Sequence, residues 1–68
     1  MMEQKEIDLI FESVAPYLSN HPNIHRFLSK NGHLEKEDLI KRVEARARKG
    51  QETLKTDYKI LLNKLVEF

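Results

Sequence analysis

Apolar residues recur at helical spacings in three segments of the chain. The first segment covers about residues 3–19, and its apolar positions form one helical stripe made of Ile7, Ile10, Phe11, Val14 and Leu18. Pro16 removes a backbone hydrogen bond and clashes with the preceding turn. The pattern therefore predicts a first helix that kinks at Pro16 or ends near Val14.

The second segment predicts a short helix over residues 22–31. Pro22 suits the first turn of a helix, because the amide hydrogen that proline lacks has no partner there. Ile24, Phe27 and Leu28 provide an apolar face, and Gly32 follows as a stop signal.

The third segment carries the longest stripe, with successive spacings of three or four residues. Its members are Ile40, Val43, Ala47, Gly50, Leu54, Tyr58, Leu61, Leu65 and Phe68. The stripe stays in phase across Gly50, and a central glycine costs a helix only about 1 kcal/mol relative to alanine. One long helix over about residues 34–67 is therefore favoured, and a break at Gly50 is the alternative.

The C-terminal end of this third segment is apolar on more than one side. Ile60, Leu62 and Val66 lie off the main stripe, and two short helices can cover only one side of a long one. The sequence therefore predicts a single all-α domain, residues 1–68, that forms a homodimer. The expected dimer contact consists of Leu54, Tyr58, Leu61, Leu62, Leu65, Val66 and Phe68.

Composition limits the class of protein. The chain has 68 residues, no cysteine and a formal net charge of +1, so neither disulfides nor thiolate metal sites contribute to its stability. It has no apolar run of about 18 residues that would span a membrane. The N-terminal residues "MMEQKEIDL" do not resemble a signal peptide. A cytoplasmic protein without membrane association is expected.

Two groups of residues have spacings that raise the question of a metal site. Residues 27–38 are similar in part to an EF-hand calcium loop, with Gly32 at the sixth position and Asp38 at the twelfth. The first position is Phe27, which has no oxygen ligand to give. His21, His25 and His33 cluster in sequence, but histidines in a polar corner are usually solvated. No metal and no cofactor are predicted.

Catalytic signatures are missing from the sequence. It has no nucleophile elbow, no phosphate-binding glycine loop and no cysteine nucleophile. Aspartate and glutamate are plentiful, but their positions predict that they lie on helix surfaces. The chain is therefore expected not to be an enzyme.

The basic stretch "KRVEARARKG", residues 41–50, is the best candidate binding site. It contains five cations, Lys41, Arg42, Arg46, Arg48 and Lys49, offset only by Glu44. On a helix, Arg42, Arg46 and Lys49 share one flank, while Lys41 and Arg48 occupy the other. Such a face could bind the phosphates of DNA or an acidic protein surface, or could simply be solvated.

Two functions follow from these features. The favoured one is a non-enzymatic protein–protein interaction module, of the kind found among small bacterial or phage regulators and adaptors, that acts as a homodimer on an unidentified protein partner. The alternative is a DNA-binding protein that uses the basic face at residues 41–49. Insertion of the start of the third helix into a DNA groove is disfavoured, because Glu35, Glu37 and Asp38 would meet the phosphates.

Overall fold

Four α-helices make up the part of the chain that the computed structural model describes, residues 3–68. They are α1 (Gln4–Val14), α2 (His21–Asn31), α3 (Lys36–Lys49) and α4 (Glu52–Glu67), and a 3-10 turn at Ala15–Tyr17 follows α1. No strand occurs within these residues. The prediction of an all-α chain is confirmed.

The beginning and end of α1 follow from local chemistry. Glu3 and Glu6 form a reciprocal capping box, in which the Glu3 amide donates to Glu6 Oε1 over 3.1 Å. At the other end α1 stops at Val14, and Pro16 lies inside the 3-10 turn. Proline therefore ends the α-helix at the predicted place.

The predicted long helix over residues 34–67 is wrong. The chain breaks after Lys49, and α4 begins at Glu52, so that α3 and α4 fold back on each other as a helical hairpin. The apolar side chains of α3 and those of α4 then pack against each other. Val43 and Ala47 on α3 and Leu61 on α4 are buried as a result. A continuous helix would have left these side chains for another molecule to cover.

The backbone of the α3–α4 turn is incompatible with a continuous helix. Gly50 adopts an extended conformation, with φ −63° and ψ 153°. Glu52 has a φ of 51°, in the left-handed region that costs a non-glycine residue roughly 1–2 kcal/mol. A Cβ on Gly50 would lie 3.0 Å from both the N and the Cα of Lys55. The glycine is therefore required for the close approach of the two helices.

One apolar core holds all four helices together. Its fully covered members come from every helix, namely Ile10, Ile24, Leu28, Leu39, Val43, Leu61 and Leu65. Ile7, Val14, Phe27, Ala47 and Tyr58 complete the buried cluster. Within residues 3–68, no helix is long and apolar enough to cross a membrane.

A carboxylate lies inside this core, contrary to the expectation that acidic residues lie on helix surfaces. Asp57 on α4 is only 1% exposed. Its oxygens accept bonds from the backbone amides of Ser19, at 3.0 and 3.1 Å, and Asn20, at 2.7 Å. The Asn20 side-chain amide donates to Asp57 Oδ2 over 3.1 Å and to Thr53 Oγ1 over 2.9 Å. Since Asn20 immediately precedes α2, Asp57 fastens the start of α2 to α4.

Replacing Asp57 is expected to loosen this attachment. Asp57→Ala removes a charged acceptor and leaves partly buried amides without a partner, so the free energy of unfolding should fall by about 2–3 kcal/mol. Urea unfolding followed by circular dichroism measures the loss. Asp8→Ala is the control, because Asp8 is exposed and accepts a bond from the exposed side chain of Gln4. It should change stability by less than about 0.5 kcal/mol. Equal effects of the two substitutions would contradict the role given to Asp57.

Gly50→Ala distinguishes the hairpin from a continuous helix. In the hairpin the new methyl group meets the backbone of Lys55, so stability should fall by about 1–3 kcal/mol. In a continuous helix the same change would raise stability by about 1 kcal/mol. The urea midpoint measures the sign, and a stabilised variant would contradict the hairpin.

Candidate functional site

A cleft of about 690 Å³ lies between α2, the end of α3 and the start of α4. We call it the cationic cleft. Its lining residues are Asn23, Arg26, Phe27, Lys30, Asn31, Arg46, Lys49, Gly50, Gln51, Leu54 and Tyr58. The α3–α4 turn closes one side of the cleft, because Gly50 and Gln51 line it.

Every charged residue that the structure places along this cleft is a cation. Arg26 and Lys30 stand one turn apart on α2, next to the buried face that includes Phe27. Arg46 and Lys49 stand one turn apart on the last turns of α3. Two pairs of positive charges from two helices therefore border a single recess without a lining carboxylate.

Two aromatic rings form the base of the cationic cleft. Phe27 and Tyr58, each 6% exposed, meet edge to face with their ring centroids 5.3 Å apart. The Arg46 guanidinium carbon lies 5.6 Å from the centroid of Phe27, within the range of a cation–π interaction. This contact helps to hold the Arg46 side chain beside the recess.

The Tyr58 hydroxyl stays protonated at neutral pH. Burial raises the pKa of Tyr58 above its ordinary value of 10.0; the nearby charge of Arg46 opposes this rise and that of Asp57 adds to it. The Tyr58 ring therefore adds no negative charge of its own to the cleft.

Three carboxamide side chains add hydrogen-bonding groups to the cleft, those of Asn23, Asn31 and Gln51. The Asn31 side-chain nitrogen donates to the Phe27 carbonyl oxygen over 2.9 Å, which fixes that side chain near the end of α2. A carboxamide both donates and accepts, so these groups can bind uncharged polar parts of a ligand.

The structure separates the five cations proposed from sequence. Arg46 and Lys49 line the cationic cleft, while Lys41 and Arg42 are exposed on α3 without lining it. Arg48 borders a different groove of about 390 Å³ between α3 and α4, together with Glu44, Ala47, Lys55, Lys59 and Leu62. We call this second depression the hairpin groove; Glu44 and its apolar members give it a mixed character.

Sequence reasoning missed Arg26 and Lys30, which supply half of the charge of the cationic cleft. They are four residues apart and hence neighbours on one face of α2. This spacing was the available signal, but only the folding back of α3 shows that it matters. The carboxamides of Asn23 and Gln51 could not be placed there from sequence either.

The residues predicted for a dimer contact fall into three classes of exposure. Tyr58, Leu61 and Leu65 are covered by the chain's own helices, because α3 folds onto α4. Leu54 and Leu62 are half-buried. Val66 and Phe68 remain exposed at 63% and 46%. Dimerisation stays a prediction, and the surface left for it is at the end of α4.

Two of the three histidines share one aromatic neighbour, and the third lies apart from them. The rings of His21 and His25 both pack edge-on against Phe11, with centroid distances of 5.5 and 5.1 Å, and His21 Nε2 lies 2.7 Å from the Ala15 carbonyl oxygen. His33 is exposed in the segment between α2 and α3. Among residues 3–68, no three side chains of His, Cys, Asp or Glu are grouped so as to hold a metal ion.

Comparison with known proteins places the chain in one family. The model of the MJ1579 family matches residues 4–68, which is almost the entire sequence. The chain belongs to the MJ1579 family. No curated protein and no solved structure matches it significantly. The family name carries no activity, so a function has to be argued from the cationic cleft itself.

Proposed function

We propose that this protein is a non-enzymatic binding module whose cationic cleft holds the phosphate backbone of a nucleic acid. The observation that carries the proposal is the convergence of Arg26, Lys30, Arg46 and Lys49 around one recess lined by no carboxylate. Cations that are brought together in this way attract a polyanion, since each phosphate contact releases condensed counterions.

The types of side chain in the cleft suit phosphate. Arginine binds phosphate oxygens through two parallel N–H donors, and lysine supplies a compact point charge. Arg46 is oriented by the ring of Phe27, which reduces the entropy lost when a ligand is bound. The rest of the lining consists of carboxamides and mostly apolar side chains, which suits the holding of a ligand.

An acidic protein segment is the competing ligand, because carboxylates would satisfy the same four cations. A nucleic acid is favoured for two reasons. Its phosphates repeat along the strand and can meet several cations, and its bases present uncharged polar edges that suit the three carboxamides.

Charge reversal on α2 is expected to abolish binding. Arg26→Glu with Lys30→Glu places two negative charges in the cleft, so the affinity for a fluorescein-labelled oligonucleotide should fall at least 30-fold at about 50 mM salt. Fluorescence anisotropy measures the affinity, with single-stranded and duplex forms assayed separately. For the unaltered protein, four phosphate contacts predict a steep loss of affinity between 50 and 200 mM salt.

The matched control is Lys55→Glu with Lys59→Glu in the hairpin groove. These lysines are also four residues apart and also exposed, and their reversal changes the net charge by the same amount. Binding should fall less than threefold. Equal losses in both pairs would point to diffuse attraction rather than a site. If an oligoglutamate peptide binds and neither oligonucleotide does, the cleft is a docking site for acidic proteins and the proposal is wrong.

A homodimer is a second proposal that rests on a different surface. Val66 and Phe68, at the end of α4, expose large apolar side chains that the chain's own helices leave uncovered. A second copy would remove this apolar area from water, at roughly 25 cal/mol per Å². This contact would not use the residues of the cationic cleft, so the two proposals are compatible.

Sedimentation velocity tests the dimer. The unaltered protein should sediment as a dimer at high micromolar concentration, and Val66→Glu with Phe68→Glu should make it monomeric. Tyr17→Glu is the control, because Tyr17 is 71% exposed but lies in the turn after α1. A monomer at the highest concentration, or a dimer that survives the double substitution, would contradict the proposed contact.

A further inference from the structure

The cationic cleft is a recess, and its shape bears on the type of nucleic acid that it holds. We infer that the cleft takes a short stretch of single-stranded nucleic acid in preference to a duplex, with a nucleotide seated between α2 and the α3–α4 turn. This inference deepens the proposed function and rests on it.

The shape of the cationic cleft favours a single strand over a duplex. Duplexes are usually read by a helix or ribbon that projects into one of their grooves. Here the cations border a depression instead, with the rings of Phe27 and Tyr58 at its base. A duplex is stiff over about 150 base pairs, so it can touch the rim of the cleft but cannot bend into it. A single strand can enter.

The volume of the cationic cleft suits an unpaired nucleotide. Pockets that enclose small organic ligands usually measure about 300–1,000 Å³, and the cationic cleft, at about 690 Å³, falls within this range. A phosphate, a sugar and a base form a ligand of that class. The cleft therefore offers space for an unpaired nucleotide beyond what a phosphate alone would need.

The carboxamides of the cleft suit the exposed edge of an unpaired base. Asn23, Asn31 and Gln51 border the same recess as the four cations. Their carboxamides can bind the Watson–Crick edge of a base, which is occupied in a duplex and free in a single strand. One N–H of the Asn31 side chain donates to the Phe27 carbonyl oxygen, so the second N–H and the side-chain oxygen are left for a base.

The Arg46 guanidinium offers a flat surface on which an unpaired base can stack. Single-stranded sites combine a positively charged groove with a flat group on which a base rests. Phe27 and Tyr58 are too buried to offer a face, but Arg46 is held over Phe27 and can offer its guanidinium plane to a base. Arg46 would then serve both phosphate attraction and base contact.

The test compares a labelled 12-nucleotide single strand with the duplex of the same sequence by fluorescence anisotropy. At about 50 mM salt the single strand should bind at least tenfold more tightly. Because single strands give a salt slope of about 0.7 per phosphate contact, four contacts predict a loss of roughly 50-fold between 50 and 200 mM salt.

A second variant separates base contact from charge. Asn23→Ala with Gln51→Ala should weaken the single-strand complex at least fivefold and change duplex binding less than twofold. The control, Asn63→Ala, removes an exposed carboxamide of α4 outside the cleft and should change neither. Urea unfolding of each variant verifies that the fold is kept.

Each outcome has a separate meaning. If the duplex binds as tightly as the single strand, or if the double alanine variant weakens both equally, the inference is overturned and the proposed function stands. If neither nucleic acid binds at about 50 mM salt, the proposed function fails and the inference fails with it.

Discussion

The bond between the Asp57 carboxylate and the chain before α2 is the interaction on which the arrangement of helices depends. α2 is connected to its neighbours by short irregular segments, and Asp57 provides a directional attachment to α4 at Ser19 and Asn20. A buried carboxylate is costly unless hydrogen bonds compensate for lost hydration. Here the two backbone amides and the Asn20 side chain supply them, and within residues 3–68 no buried side-chain polar atom lacks a partner.

Because Asp57 holds α2 in place, the cations of α2 and α3 can border the same cleft. The cations of α2 and of the last turns of α3 border one recess, and the chain reversal after Lys49 places Gly50, Gln51 and the start of α4 along the same recess. Locally, cations at the end of α3 only complement the helix dipole. Joined with Arg26 and Lys30, they form a concentrated positive site on a chain whose net charge is only +1. The function we propose is therefore a consequence of tertiary structure, although its residues are ordinary surface cations.

Local features of the sequence predicted much of the helical structure. Pro16 indicated the end of α1, Pro22 the start of α2, and the spacing of Val43 and Ala47 the buried face of α3. The break at Gly50 was only the alternative prediction, because the apolar stripe stays in phase across it. The phase of a stripe shows which side of a helix is buried, but it does not show which element covers that side. In a hairpin, the partner of each stripe is the other half of the same chain.

Long-range contacts account for what sequence reasoning could not find. Asp57 looks like any helical surface carboxylate until α2 is placed against it, and Arg26 gains its role only next to Arg46. The basic stretch at residues 41–49 was recognised from its charge, yet the fold divides it between the cationic cleft, the hairpin groove and open surface. Sequence indicated the chemistry of the candidate site, and tertiary packing selected its members.

Mapping of the binding surface by nuclear magnetic resonance tests the central claim most directly. A single-stranded oligonucleotide would be titrated into the ¹⁵N-labelled protein, and amide shifts followed residue by residue. The account predicts that the largest changes cluster in two stretches, residues 23–31 and 46–54, which border the cationic cleft. Changes centred on α1 or on the C-terminal end of α4, with these two stretches unmoved, would contradict it.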